Sequence, residues 1–473
     1  PFYGGAHLPD LTLVTPVFHD GDIAAFAANR AHHADVGGSR AGSVAADSTE
    51  IYQEGLRIPP VKLFEGGEPN EGIFEMILTN VRTPDERRGD LRAQEAANET
   101  GRRRFSELVE KYGRGQLTAI LEEIKDYSER RMRAEIAELP DGTYTYEDVL
   151  DDDGRGNEAL PVQAAVTIEG DRISVDFSGS ADQTAGAINA VFAVTASATY
   201  YAVRCVTDPD IPPNHGCYRP IDIEAPERSI VNPEPPAAVV GGNLETSQRV
   251  TDVVLGAFSE AVPDRVTAAG QGTMNNVTFG GTDPRDGSPY AFYETQGGGF
   301  GGRRGKDGMD GVHVHMSNTM NTPAEVLETA YPLRVTRYEY RPDTGGAGEF
   351  RGGLGIRRDI QVRDHEATFS LLAERHRSRP YGLAGGEPGA NGGAVLNPDA
   401  DPEELASKST HDLPPGSVVS VRTPGGGGYG DPADRDADAL DRDLRLGKIT
   451  PERLGSVYGV DPADLRRDEE DEE

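Results

Sequence analysis

The chain has 473 residues, 36% of them apolar, and carries 80 acidic against 47 basic residues for a net charge of −33. Such a length exceeds one ordinary core and implies two or three domains. The charge excludes a nucleic-acid or anionic-membrane surface, since both need basic footprints, and no run of 18 uncharged apolar residues reads as a membrane span.

The basic residues are 41 Arg and only 6 Lys. An acidic, Lys-poor surface resembles that of proteins from salt-loving microbes, in which salt screens self-repulsion. Cys205 and Cys217 are too few for a metal cage or a disulfide framework and read as free thiols in a reducing cytoplasm. The chain starts at Pro1 rather than Met, so a native start further upstream is expected, and no signal peptide is visible.

In chain order, the pattern predicts a mixed α/β (α+β) fold in five stretches. Residues 1–70 are strand-rich: "LTLVTPVF" and "IAAFAANR" flank "HDGD", whose Asp-Gly is a hairpin turn signal. Residues 71–140 form a helical block, with apolar residues three and four apart between Arg and Glu, closed by Pro140-Asp141-Gly142. Residues 141–264 hold a hairpin around Gly170-Asp171 and two buried helices, Ala190–Val206 and the stretch "ETSQRVTDVVLGAFSEAVP". Residues 265–430 are Gly-rich and strand-like, with a helix near Pro323–Thr329. Residues 431–473 give short helices, one started by Thr450-Pro451, and a disordered acidic tail "DEEDEE".

The opening hairpin gathers chemistry. With its turn at Asp20-Gly21, residues whose numbers sum to 41 face each other, so Asp10 lies opposite Ala31, Pro9 opposite His32 and Leu8 opposite His33. His7 and Asp10 then meet His32, His33 and Asp35 at the open end. Alternation puts His33 and Asp35 on one face and turns His32 away. His and Asp without Cys suit a divalent ion such as Zn, Mn or Fe, and three protein ligands leave room for reactants. The expected ligands are His7, Asp10 and His33, with Asp35 and His32 as catalytic or auxiliary groups beside them. The alternative is a polar hairpin end whose histidines only hydrogen-bond.

Further polar candidates for substrate binding are His313 and His315 at strand spacing, Asn243 before a helix start, and the clustered amides Gln271, Asn275 and Asn276. "GGGFGG" and "GGGGYGD" lack the GK[ST] ending of a phosphate loop and read as turns that allow close backbone approach. No Ser-His-Asp or GxSxG arrangement is present.

The segments "GGAHLPDLTLVTPVF", "RAHHADVGG", "STEIYQEGLRIPPVKL", "NVRTPDERRGDLRAQ", "DPDIPPNHGCYRPI", "GGNLETSQRVTDVVLGA", "QGTMNNVTFGG", "HMSNTMNTPAEVLE", "YPLRVTRYEYRPDTGGAGEFRGGLG" and "TPGGGGYGDP" together resemble the hydantoinase B/oxoprolinase family, in order and over nearly the whole chain. The resemblance implies a B-type subunit of an ATP-dependent cyclic amide hydrolase, working as a hetero-oligomer with an A-type subunit. That partner binds ATP and phosphorylates the oxygen of the small-molecule substrate. The family's metal positions match His7, Asp10 and His33; the family usually also carries Asn-Asp before the first proline, which this sequence lacks. The absence of any ATP loop here fits dependence on the partner. A phosphorylated amide oxygen leaves readily, and burial between subunits protects such an intermediate from bulk water. Two other readings stay open: the large subunit of an acetone-carboxylase-like enzyme, in which a phosphorylated enol meets CO2, and a non-catalytic scaffold for the ATPase subunit.

Overall fold

The computed structural model describes residues 1–465; the acidic "DEEDEE" tail lies outside the described residues. β1 (Asp10–His19) and β2 (Asp22–His32) form the expected hairpin. Asp20 and Gly21 have φ of 53° and 87°, the left-handed pair that a two-residue turn requires. Near the turn the pairing sums to 41, as in His19↔Asp22 and Phe18↔Ile23. The next pair is Val17↔Ala25, and from there to Asp10↔His32 the sum is 42. Ala24 is therefore unpaired, a β-bulge that slips β2 by one residue.

The hairpin lies on the helical block. After the short pair β3 (Phe64–Glu65) and β4 (Glu68–Pro69) come α1 (Glu71–Thr79), α2 (Pro84–Tyr112) and α3 (Arg114–Ile136). Asn70 caps α1 by accepting from the Ile73 amide, Pro84 occupies the first turn of α2, and Gly113 at φ 75° separates α2 from α3. The α2 amides anchor the hairpin: Gln94 donates to the Leu11 carbonyl and Asn98 to the Leu13 carbonyl.

A four-stranded sheet follows, ordered β5 (Gly142–Asp152), β6 (Glu158–Glu169), β7 (Arg172–Asp176) and β8 (Ile221–Glu224). Its β7–β8 pair is parallel, and the crossover carries α4 (Phe192–Val206) and the short α5 (His215–Tyr218). α6 (Ser247–Ala261) is buried from Ser247 to Phe258. Val253, Val254 and Phe258 of α6 and Ala198 and Ala202 of α4 meet Val162, Val166 and Val175 of the sheet in the largest apolar core.

Two further sheets enclose a second core. One is ordered β10 (Pro289–Thr295), β9 (Asn276–Thr282), β13 (Ala367–Leu372), β16 (Lys408–Leu413). The other runs β11 (Leu333–Tyr340), β12 (Ile356–Val362), β17 (Val418–Arg422), β14 (Gly393–Leu396), β15 (Glu403–Leu405), with α7 (Ala324–Ala330) leading into β11. Phe279, Phe369, Ile360, Val362 and Val419 fill the space between them. α8 (Ala437–Arg445), α9 (Pro451–Arg453) and α10 (Pro462–Leu465) close the described chain; Leu440 and Leu454 cover Ala347.

The glycine runs are neither phosphate loops nor strands of these sheets. Residues 425–428 run through the middle of other extended segments. Gly427 N donates to Ala269 O, Gly426 N to Gly353 O, Gly428 N to Glu387 O, and Gly302 N to Gly427 O. A Cβ on Gly299 would lie 2.0 Å from Gly353 O, and one on Gly426 would lie 2.1 Å from Phe300 O. Only hydrogen fits between backbones this close. Gly299→Ala and Gly426→Ala are each expected to lower the thermal unfolding midpoint by about 5 °C or more. Gly393→Ala, where a Cβ meets nothing within 4 Å, should leave it unchanged; equal midpoints for all three variants, measured at one salt concentration, would contradict this packing.

Candidate metal centre

The bulge decides what the open end of the hairpin presents. With Asp10 paired to His32, both side chains share the face turned away from α2. His7 comes onto the same face through a turn in which the Asp10 amide donates to the His7 carbonyl. His7 Nε2 lies 3.1 Å from Asp10 Oδ1 and 3.2 Å from His32 Nδ1, and His32 Nδ1 lies 3.0 Å from Asp10 Oδ1. Asn243 Nδ2 adds a fourth polar atom 3.2 Å from His7 Nε2.

These three ligand-type atoms form a triangle that cannot carry a hydrogen bond on all three edges. Each edge needs a donor facing an acceptor. A ring of three atoms, each one or the other, always leaves one edge with like facing like. A cation relieves the conflict, because all three atoms then act as acceptors. Metal bonds of about 2.0–2.2 Å put neighbouring ligand atoms about 3.0–3.5 Å apart, which matches the triangle. Among the described residues, His7, Asp10 and His32 are the group of His, Cys, Asp and Glu side chains close enough to hold an ion.

The charges suit that role. Burial lowers the pKa of His7 from its ordinary value, opposed by Asp10, so the ring is neutral and offers a lone pair. Burial alone would raise the Asp10 carboxyl, but hydrogen bonds with His32 and His7 outweigh it and hold Asp10 well below the usual carboxylate range. Two neighbours brace the group. Glu54, whose carboxyl burial pushes up to about 8, accepts from the Val239 and Val240 amides and pins the start of the helical segment that carries Asn243. The Tyr293 ring lies 5.4 Å from that of His32, and its hydroxyl donates to Asn276, whose amide donates in turn to Glu245.

His33, expected as a ligand, stands outside the triangle. The register slip puts it on the α2 face, where its Nε2 meets Gln94 Oε1 at 3.0 Å. His32, expected to point away, takes the place beside Asp10. Asp35, expected as a catalytic group, accepts from the amides of Gly37, Gly42 and Arg82 and from the Arg82 guanidinium. All its oxygens are engaged, so it holds a loop and has no free lone pair for a proton. Asn243 reaches the centre. Gln271 and Asn275 do not: they are buried, bonded to each other, and both donate to the Gln296 carbonyl. His313 is tied to Ser317 at 2.7 Å, and His315 meets Tyr201 in a different pocket. Asn276, the third amide of the cluster with Gln271 and Asn275, is bonded to Tyr293 beside the centre, whereas Glu54 and Tyr293 carry no sequence signal.

The hydantoinase B/oxoprolinase family model matches residues 1–432. The chain belongs to that family. It is 42% identical to an uncharacterized protein of Methanocaldococcus jannaschii over 97% of this chain and 80% of that protein. It is 37% identical to 5-oxoprolinase 1 of Arabidopsis thaliana over 91% of this chain, but spans only 35% of that longer relative. Among solved structures it is similar to the ATP-dependent caprolactamase of Pseudomonas jessenii, with a TM-score of 0.90 and 31% identity over 98% of this chain and 81% of the other. A nucleotide-free acetone carboxylase shares the fold, with a TM-score of 0.88 and 19% identity over all of this chain and 71% of that one. No helix among the described residues is long and apolar enough to cross a membrane.

For this family member the triangle separates two adjacent histidines. Asp10→Ala and His32→Ala are expected to weaken Zn2+ or Mn2+ binding by well over about 100-fold, more than loss of a merely supporting residue costs. His33→Ala and His19→Ala should keep the ion. Metal content after dialysis, on variants checked for folding, decides the matter; retention in His32→Ala with loss in His33→Ala would restore the unbulged register.

Proposed function

We propose that this chain is the B-type subunit of an ATP-dependent hydrolase that opens a cyclic amide, and that a divalent metal bound by His7, Asp10 and His32 takes part. The observation that carries the proposal is the close triangle of two imidazoles and one carboxylate at the open end of the hairpin. A divalent ion there would supply Lewis acidity and acidify bound water. The relatives named 5-oxoprolinase and ATP-dependent caprolactamase support the substrate class and the need for ATP. The name caprolactamase subunit beta supports a separate partner chain, here an A-type subunit that binds ATP.

In this reading the partner transfers the γ-phosphoryl group of ATP to the amide oxygen. Water then adds to the carbon, the ring nitrogen departs as an amine and leaves an acyl phosphate, and a second water cleaves that to carboxylate and phosphate. The chain's own groups position these reactants. Asn243 offers its amide beside His7 to a substrate oxygen or nitrogen. Tyr293, whose burial drives its pKa far above the ordinary value, keeps its proton and walls one side of His32. His32 is partly exposed whereas His7 is fully buried, so reactants approach from the His32 side. We place the reaction in the cytoplasm, consistent with the free thiols Cys205 and Cys217. The carboxylase reading has the fold alone behind it.

The test is purification of the full-length protein with its partner subunit, followed by ATP hydrolysis in the presence of 5-oxoproline, hydantoin, caprolactam, or acetone with bicarbonate. One cyclic amide should stimulate ATP hydrolysis and be opened, and His32→Ala should reduce turnover by at least about 100-fold. Turnover with acetone and bicarbonate alone, or amide opening without ATP, would contradict the proposal.

A further inference from the structure

A second recess lies away from the hairpin. It has a volume of about 550 Å3, within the usual range for small-molecule sites, and none of His7, Asp10 or His32 lines it. Its walls are the end of α4, the segment after α6 and the loop around residues 300–309.

The loop is built as a grip. Arg303 and Lys306 exchange both backbone hydrogen bonds at 3.0 Å across a two-residue turn, with Gly305 at φ 78°. Residues paired this way stand about 5.5 Å apart with side chains on one face. On its other side Arg303 bridges Thr267. Thr267, Arg303 and Lys306 thus stand in a row, and all three line the recess.

Two of the four cations that line the recess stand unpaired among the described residues. The recess also has four carboxylates, and each lies beside a cation, although Arg435 also meets Asp443 and Arg265 also lies 3.9 Å from Glu138. Asp264 is held by Arg304, Asp208 by Arg131 and Asp307 by Arg435, while Glu135 lies 3.9 Å from Arg265. Arg303 and Lys306 have no ion-pair partner among the described residues. In a chain of net charge −33, two free cations side by side over a recess form a local site for an anion.

Two buried polar atoms on residues that line the recess point the same way. Thr267 Oγ1 and His315 Nε2 are both buried and both without a hydrogen-bond partner. Such groups cost free energy unless something meets them. His315 is held in place by Tyr201 at its Nδ1 and by the Phe300 ring, whose centroid is 5.2 Å away. Burial pushes its pKa down to about 4, so its ring is neutral and hydrogen-bonds without adding charge. The Phe300 and Tyr201 rings give the body of a ligand an apolar wall.

We infer that this recess binds a small organic anion, with its carboxylate or phosphate on Arg303 and Lys306 and a polar group of its body on Thr267 Oγ1 and His315 Nε2. The inference does not depend on the reaction proposed above.

Calorimetric titration of the full-length protein, without ATP, tests it with three probes. These are 5-oxoproline, the same ring without a carboxylate (2-pyrrolidinone), and inorganic phosphate. The inference predicts binding of 5-oxoproline, of phosphate, or of both, and at least about ten-fold weaker binding of 2-pyrrolidinone. Stronger binding of 5-oxoproline than of phosphate identifies a carboxylate ligand, and the reverse a phosphate. Arg303→Ala/Lys306→Ala, two exposed positions that leave the fold intact, should weaken the bound anion by at least about ten-fold. His32→Ala should bind it as the parent does. No binding of either anion, undiminished binding by the double variant, or loss in His32→Ala alone would overturn the inference.

Discussion

Ala24 has no partner across the β1–β2 ladder, and this one unpaired residue sets the register that puts His32 against Asp10. A strand presents alternate residues to opposite faces, so a slip of one residue exchanges the two faces completely. Without the bulge, the face of β1 that carries Asp10 would meet the other histidine. With it, the polar triangle faces away from α2, and His33 is left to help fix the hairpin on that helix through Gln94. Adjacent histidines thus face opposite ways: one stands in the polar triangle and the other holds the platform.

The platform is stiff because each side of it ends in buried polar contacts. Gln94 and Asn98 of α2 replace a third strand by bonding the Leu11 and Leu13 carbonyls. Glu54 ties the segment before Asn243 to the loop that follows the hairpin. Behind these, Arg375 joins the first large sheet to the second β region by meeting Asp148 at 2.7 Å and Asp252 at 2.8 Å. Buried pairs of this kind add little net stability but penalise any displacement, because a separated partner would be left as an unpaired charge. The stacked glycine segments have the same effect on the backbone, since they fit in one arrangement only.

Much of this was legible in the sequence. The Asp20-Gly21 turn, the helical block, the buried helix α6 and the Gly-rich β region follow from turn chemistry, periodicity and composition. So does the meeting of His7 and Asp10 with one histidine of the pair. The choice between His32 and His33 was not legible, because a bulge at Ala24 is set by tertiary packing and leaves no mark in the local pattern. Asp35 was misread for a related reason. A carboxylate beside histidines looks reactive until the amides of Gly37, Gly42 and Arg82 are seen to occupy it. Glutamine and asparagine clusters such as Gln271 and Asn275 are equally ambiguous, since interior bracing and ligand binding use the same atoms.

The central claim is that the bulged register builds an ion site from His7, Asp10 and His32. Diffraction from crystals of the full-length protein soaked in Mn2+, recorded at the manganese absorption edge, tests it most directly. The account predicts one strong anomalous peak within bonding distance of His7 Nε2, Asp10 Oδ1 and His32 Nδ1, with His33 still bonded to Gln94. A peak on His33, or none at the hairpin, would contradict it.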